Sequence, residues 1–162
     1  MRAIETRYKG HRFRSRLEAR WAVFFDAIGI RWEYEPEGFE LKGGMRYLPD
    51  FYLPAFTGGI YAEVKPEGDA AVKAKRFALE AERRILVLGG PPALKPYILY
   101  GDHHPAEYSQ VDVTFHRNYL PGGHHAHEYR LFWTPSDADL MAGMQHAIDA
   151  ARSARFEFGE SG

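Results

Sequence analysis

The chain has 162 residues, 45% hydrophobic and 27% charged, with 21 basic against 22 acidic side chains, a net charge of −1 and no cysteine. This length supports one core of ordinary size, and a near-neutral balance is unlike that of a protein that simply coats nucleic acid. The lack of cysteine excludes disulfide scaffolds, thiol nucleophiles, Cys-type zinc sites and iron–sulfur clusters, so any metal must sit on carboxylates or histidines.

In chain order, Ile4 to Tyr8 alternates and ends in Lys9-Gly10, a strand or hairpin arm before a basic turn. Ser15 with Glu18 three residues later fits a capping box. Leu17, Trp21, Phe24, Phe25 and Ile28 then form one apolar helical face that stops at Gly29. Ile30 to Glu35, Phe39 to Leu41, Tyr47 to Leu53 and Ile60 to Lys65 read as strands, with a turn at Gly43-Gly44. Asp69 to Arg84 predicts a second helix with Val72, Phe77, Leu79 and Ala81 as its apolar stripe, and Ile85 to Leu88 a buried strand.

Beyond Gly89 the pattern predicts short strands at Tyr97 to Tyr100, Val111 to Phe115 and Tyr129 to Trp133. A terminal helix over Ser136 to Arg152 should pack Leu140, Met144, Ala147, Ile148 and Ala151 on the sheet. With Phe39 to Leu41 taken only as a short partner of the strand before it, the order is helix, three strands, helix, strand. It indicates an α/β fold with a mixed central β-sheet flanked by helices. One domain over 1–162 is expected, with a core of about 10–90 and a C-terminal extension of about 91–162 ending in a helix. No stretch approaches the roughly 20 apolar residues of a membrane helix, and the first ten residues carry no apolar leader. A soluble, cytoplasmic protein without membrane association is expected.

The chemistry gathers on two of these strands. In Ile60-Tyr61-Ala62-Glu63-Val64-Lys65, residues 60, 62 and 64 face a helix while Glu63 and Lys65 share the opposite face, roughly 7 Å apart. Tyr47, Pro49, Phe51 and Leu53 are placed on one face of the preceding strand, which turns Asp50 to the other. If the strands are neighbours, Asp50, Glu63 and Lys65 converge: two carboxylates for a hard, oxygen-preferring cation, with one ammonium beside them.

These residues carry a resemblance. Pro49-Asp50, then Glu63-x-Lys65, behind a helix bearing Glu18, resembles the PD-(D/E)xK nuclease superfamily of restriction-endonuclease-like fold. Within it, Ser15-Arg16-Leu17-Glu18 with Trp21 and Phe25, then Tyr34-Glu35-Pro36, Pro49-Asp50-Phe51 and Glu63-Val64-Lys65, is similar to the TnsA-type transposon-end endonucleases and related phage-encoded nucleases. The likeness covers about residues 10–90. Glu35 stands where that branch tends toward glutamine and is given no role.

The resemblance implies a Mg²⁺-dependent DNA endonuclease, with Mn²⁺ able to substitute, of phage or mobile-element type. Asp50 and Glu63 would hold the metal, with the Val64 backbone carbonyl and Glu18 as further ligands, and Lys65 would position the attacking water and balance charge on the phosphate. Phosphodiester hydrolysis suits these parts. Bland alternatives stand beside each residue: Glu18 as capping-box acid, Glu63 and Lys65 as a surface ion pair, Asp50 as a turn residue.

Residues 1–20 carry seven basic against two acidic side chains. Lys9, His11, Arg12, Arg14 and Arg16, near the first helix N-terminus, are candidate DNA-phosphate contacts, with a solvated basic loop as the alternative. Lys73 and Lys75 on the second helix are weighed in the same way, against an ordinary polar helix face.

His103-His104 and His124-His125-x-His127 are more simply solvated loop residues than a second metal site. The C-terminal region is the candidate surface for a homodimer or protein partner. The competing functional reading is a catalytically inactive nuclease-fold module that binds nucleic acid or a partner.

Overall fold

Alternation along the chain builds two thin hairpins and one larger sheet. The computed structural model describes residues 4–56, 58–101, 110–113 and 138–156. Strands β1 (Thr6–Tyr8) and β2 (His11–Phe13) form the expected antiparallel hairpin. Its two turn residues, Lys9 and Gly10, both have positive φ (45° and 79°), the geometry that matches the twist of a tight hairpin.

Helix α1 (Arg16–Ile28) follows, and Ser15 caps it by accepting the Glu18 N–H. The helix ends where Gly29 enters the left-handed region at φ 76°, as a glycine cap does.

The central sheet has six strands in the order β10-β9-β8-β7-β6-β3. These are β3 (Glu33–Tyr34), β6 (Phe51–Leu53), β7 (Ile60–Lys65), β8 (Ile85–Gly89), β9 (Tyr97–Tyr100) and β10 (Gln110–Val113). The neighbours β7 and β8 are parallel and joined through α2 (Val72–Ala81), while every other pair is antiparallel. The sheet is therefore mixed. Taken through α1, the sheet strands β3, β6 and β7, then α2 and β8, the chain runs helix, three strands, helix, strand. A separate hairpin of β4 (Phe39–Leu41) and β5 (Met45–Tyr47) is inserted among them.

Period-two alternation sorts side chains onto two cores. Ile60, Ala62, Val64, Leu86 and Leu88 join Trp21, Phe24 and Phe25 of α1, with α3 (Ala138–Ser153) adding Met144, Ala147, Ile148 and Ala151. Tyr61, Ile85 and Val87 face the other way, onto Ala74, Phe77 and Ala78 of α2 and onto Leu41 and Tyr47 of the inserted hairpin. The three large α1 aromatics are fully buried, each worth about 1.5–3 kcal/mol in removed apolar surface.

Several expectations need correcting. The strand expected over Ile30 to Glu35 is only Glu33–Tyr34, and the one expected over Tyr47 to Leu53 is broken into β5 and β6, which lie in different sheets. Tyr47 therefore faces the α2 core, not the face of Phe51. Helix α2 is shorter than Asp69 to Arg84, and its buried face is Ala74, Phe77 and Ala78 while Val72 and Leu79 are exposed.

Helix α3 lies along α1 and shares its core with Leu86, Leu88, Tyr97 and Leu99 of the sheet. Arg20 of α1 donates to the Ala151 carbonyl at 3.0 Å and also to that of Arg152, tying the two helices where α3 leaves carbonyls unpaired. Residues Phe115, Tyr129 to Trp133, Ser136 and the His103-His104 and His124 to His127 groups lie outside the described residues. Among the described residues, no helix is long and apolar enough to cross a membrane.

Candidate active site

The break between β5 and β6 leaves Leu48 to Asp50 outside any strand, beside the C-terminal half of β7. Phe51 pairs with Ala62, so the register continued by one residue sets Asp50 opposite Glu63. Asp50 is held at both ends. Its Oδ2 accepts the Val64 N–H at 2.7 Å, and its carbonyl accepts the Glu35 N–H at 2.8 Å.

Glu63 is buried, and each of its carboxylate oxygens has a donor. Lys65 Nζ stands 2.8 Å from Oε1, and the Tyr47 hydroxyl donates to Oε2 at 2.8 Å. The Val64 side chain sits in the core. Lys65 is anchored through its main chain as well, because its carbonyl accepts the Gly90 N–H at 2.8 Å and the Gly90 carbonyl accepts Trp21 Nε1 at 3.0 Å. One indole of α1 thus steadies the end of β7.

Glu18 is the capping-box acid, and its second oxygen is bound by two further donors. Its Oε1 accepts the Ser15 hydroxyl at 2.8 Å, a variant of the capping box, while Oε2 accepts the Tyr34 hydroxyl at 2.7 Å and the Arg14 N–H at 3.1 Å. It is also close enough to act on Asp50. Burial pushes the Asp50 carboxyl well above the usual carboxylate range, the negative charges of Glu63 and then Glu18 push it further, and the Val64 N–H and Lys65 only partly oppose them.

For Lys65 the balance goes the other way. Burial alone would pull the ammonium down, but its hydrogen bond and attraction to Glu63, then the charges of Asp50 and Asp69, hold it above its ordinary value. Burial and Glu63 together keep the Tyr47 phenol far above its ordinary range, and burial and Glu18 do the same for Tyr34. Both tyrosines are donors at neutral pH.

The arrangement sets the Asp50 carboxyl within reach of the charges of Glu63 and Glu18, with the Lys65 ammonium on Glu63. No three Asp, Glu or His side chains among the described residues are grouped as a ready-made cation cage. The donor set still fits a hard divalent cation, because carboxylate oxygens suit Mg²⁺ and Mn²⁺.

The basic residues of the hairpin behave differently from one another. Lys9 pairs with Asp26 at 2.9 Å, Arg12 with Glu5, and Arg14 with Glu35 at 2.7 Å, while the His11 ring rests 4.9 Å from that of Trp32. Three of the seven basic side chains of the first 20 residues thus have acidic partners in space. Arg16, Lys73 and Lys75 are exposed. An open groove of about 420 Å³, lined by Gly38, Phe39, Glu40, Arg46, Tyr47 and Leu48, runs beside the site.

Sequence reasoning missed Tyr34 and Tyr47, the two hydroxyls that hold Glu18 and Glu63. Tyr34 gave a partial signal as the residue before Glu35. Tyr47 gave none, because an unbroken strand would have turned it away. No protein-family model, curated protein or solved structure matches this chain.

Proposed function

We propose that this chain is a metal-dependent DNA endonuclease of restriction-endonuclease-like fold, of the TnsA-type and phage or mobile-element kind, with Asp50, Glu63 and Lys65 as its site. The observation that carries the reading is that Asp50, in the segment just before β6, stands opposite Glu63 of the neighbouring β7, itself paired with Lys65, with Glu18 close by. A surface ion pair explains none of this, since Glu63 is only 6% exposed.

Asp50 and Glu63 would hold a Mg²⁺ or Mn²⁺ ion, with Glu18 at its margin. Such a cation, when bound, supplies charge neutralisation for the phosphate and a water that loses its proton near neutral pH. Burial and the neighbouring Glu63 and Glu18 charges raise the proton affinity of Asp50, so proton and cation would compete for this carboxyl.

Lys65 keeps its proton, so Nζ orients the attacking water or a phosphate oxygen by donating to it and is not the base. Glu63 holds that ammonium in place. The net reaction adds water across one P–O ester bond, leaving a phosphate monoester and a free hydroxyl. Arg16, with Lys73 and Lys75, offers phosphate contacts flanking the pocket.

The test is cleavage of supercoiled plasmid and of labelled single-stranded and branched DNA with Mg²⁺, Mn²⁺ or EDTA, for the wild type, Asp50→Ala and Lys65→Ala. Metal-dependent cutting by the wild type, lost in both variants, supports the proposal. No cutting of any substrate with either metal overturns it in favour of a non-catalytic binding module of the same fold.

A further inference from the structure

We infer that Tyr47 is a positioning residue that acts through Glu63 and sets how tightly the carboxylate pocket takes a divalent cation. The inference rests on the nuclease reading and deepens it. A carboxylate held through one oxygen can rotate about its terminal bond. One with a separate donor on each oxygen keeps a fixed plane.

Glu63 is in the second state, with Lys65 on Oε1 and Tyr47 on Oε2, both at 2.8 Å. An ionised carboxylate offers about four lone-pair sites, so each oxygen retains an acceptor direction after its donor is satisfied. The two donors orient Glu63 without using it up.

Tyr47 is built to stay in place. Its ring lies 5.0 Å from that of Phe77, and across the hairpin its register partner Phe39 packs on the same Phe77 ring at 4.8 Å. The hydroxyl comes from the inserted β4–β5 hairpin, while Asp50, Glu63 and Lys65 come from β7 and the segment just before β6. The insertion thus has a stated task at the site. Partners of this kind, which touch a metal ligand but not the metal, commonly control affinity by about 10–100-fold.

The experiment is calorimetric titration of the full chain with Mn²⁺ and with Mg²⁺, alongside plasmid cleavage as a function of metal concentration. It compares wild type, Tyr47→Phe, Glu63→Gln and the double variant. Phe keeps the ring and its packing, so a role in packing alone leaves metal affinity unchanged.

The expected result is a Tyr47→Phe protein that melts near the wild type and binds Mn²⁺ about 10–100-fold more weakly. Its half-maximal metal concentration for cleavage should rise by the same factor, while its rate at saturating metal stays close to that of the wild type. In the Glu63→Gln background, Tyr47→Phe should add no further loss, and fully additive losses overturn the inference. A wild type that binds and cuts, with Tyr47→Phe indistinguishable in metal affinity, overturns the role of Tyr47 and leaves the nuclease standing. A wild type that neither binds nor cuts overturns both.

Discussion

Asp50 is docked on the backbone of β7 by Val64, whose N–H donates to Oδ2 at 2.7 Å. A single neutral donor does not offset the burial of this carboxylate beside Glu63 and Glu18, and its proton affinity is raised. A carboxyl whose pKa is raised on folding stabilises the fold below the ordinary carboxylate pKa, and that contribution is lost as pH rises through the raised value.

Asp50→Asn, which keeps an oxygen for the Val64 N–H, is therefore expected to be more stable than the wild type at neutral pH and above. The difference should vanish below about pH 4, where the unfolded carboxyl is also protonated. Thermal melts across that range read the effect, with each kcal/mol of relief appearing as roughly 2–4 °C in Tm. A wild type that gains on Asp50→Asn as pH rises would show that Asp50 is held as a favoured anion.

Lys65→Met retains the apolar stem but leaves buried Glu63 with only the Tyr47 hydroxyl as donor. The cost of that unpaired charge is expected at about 1–3 kcal/mol in urea unfolding. Lys65→Met combined with Glu63→Gln should recover part of it. If the double variant is no better than the single one, the ion pair is not what stabilises this strand.

The exposed cations near α1 differ in what they have left to give DNA. Arg12 is engaged by Glu5, whereas Arg16 is exposed with no acidic partner among the described residues. Arg16→Ala is expected to reduce the slope of log affinity against log salt by about 1, as loss of one phosphate contact does. Arg12→Ala should change it less. Equal effects in a filter-binding or anisotropy series would mean that the Glu5 pair opens on binding.

The helical face of α2 makes a contrast between two residues close in sequence. Phe77→Ala empties a fully buried site and is expected to cost about 3–5 kcal/mol, while Leu79→Ala, at 53% exposure, should stay within about 0.5 kcal/mol. Chemical denaturation of both variants measures this directly.

The same contrast shows where local pattern was informative and where it was not. On α1, large apolar residues at helical spacing, a capping serine and a terminal glycine all agree, and the helix stands within a residue of its expected bounds. On α2 Phe77 is buried as expected and Ala81 packs partly buried on the same core, but Val72 and Leu79 are exposed and Ala74 and Ala78 make the contact instead. Strand β7 was legible as a whole, including Glu63 and Lys65 on the face opposite the α1 core.

The convergence of Asp50 with Glu63 depended on two strands being neighbours, and β6 pairs with β7 as that required. Lys9, Arg12 and Arg14 read as unpaired cations, since their acidic partners, Asp26 and Glu35 among them, are fixed by folding and not by spacing.

By itself the sequence determined the helices, most strands, their order and the identity of the acidic and basic groups on β7, because periodicity and capping act over a few residues. Only the tertiary structure decided that the chain breaks between Tyr47 and Phe51, that Tyr47 turns to Glu63, and that Glu18 joins the Ser15 cap while lying near enough to raise Asp50. Those outcomes depend on which sheet each strand joins and on how buried charges find donors. Both are settled by contacts between residues distant in the chain.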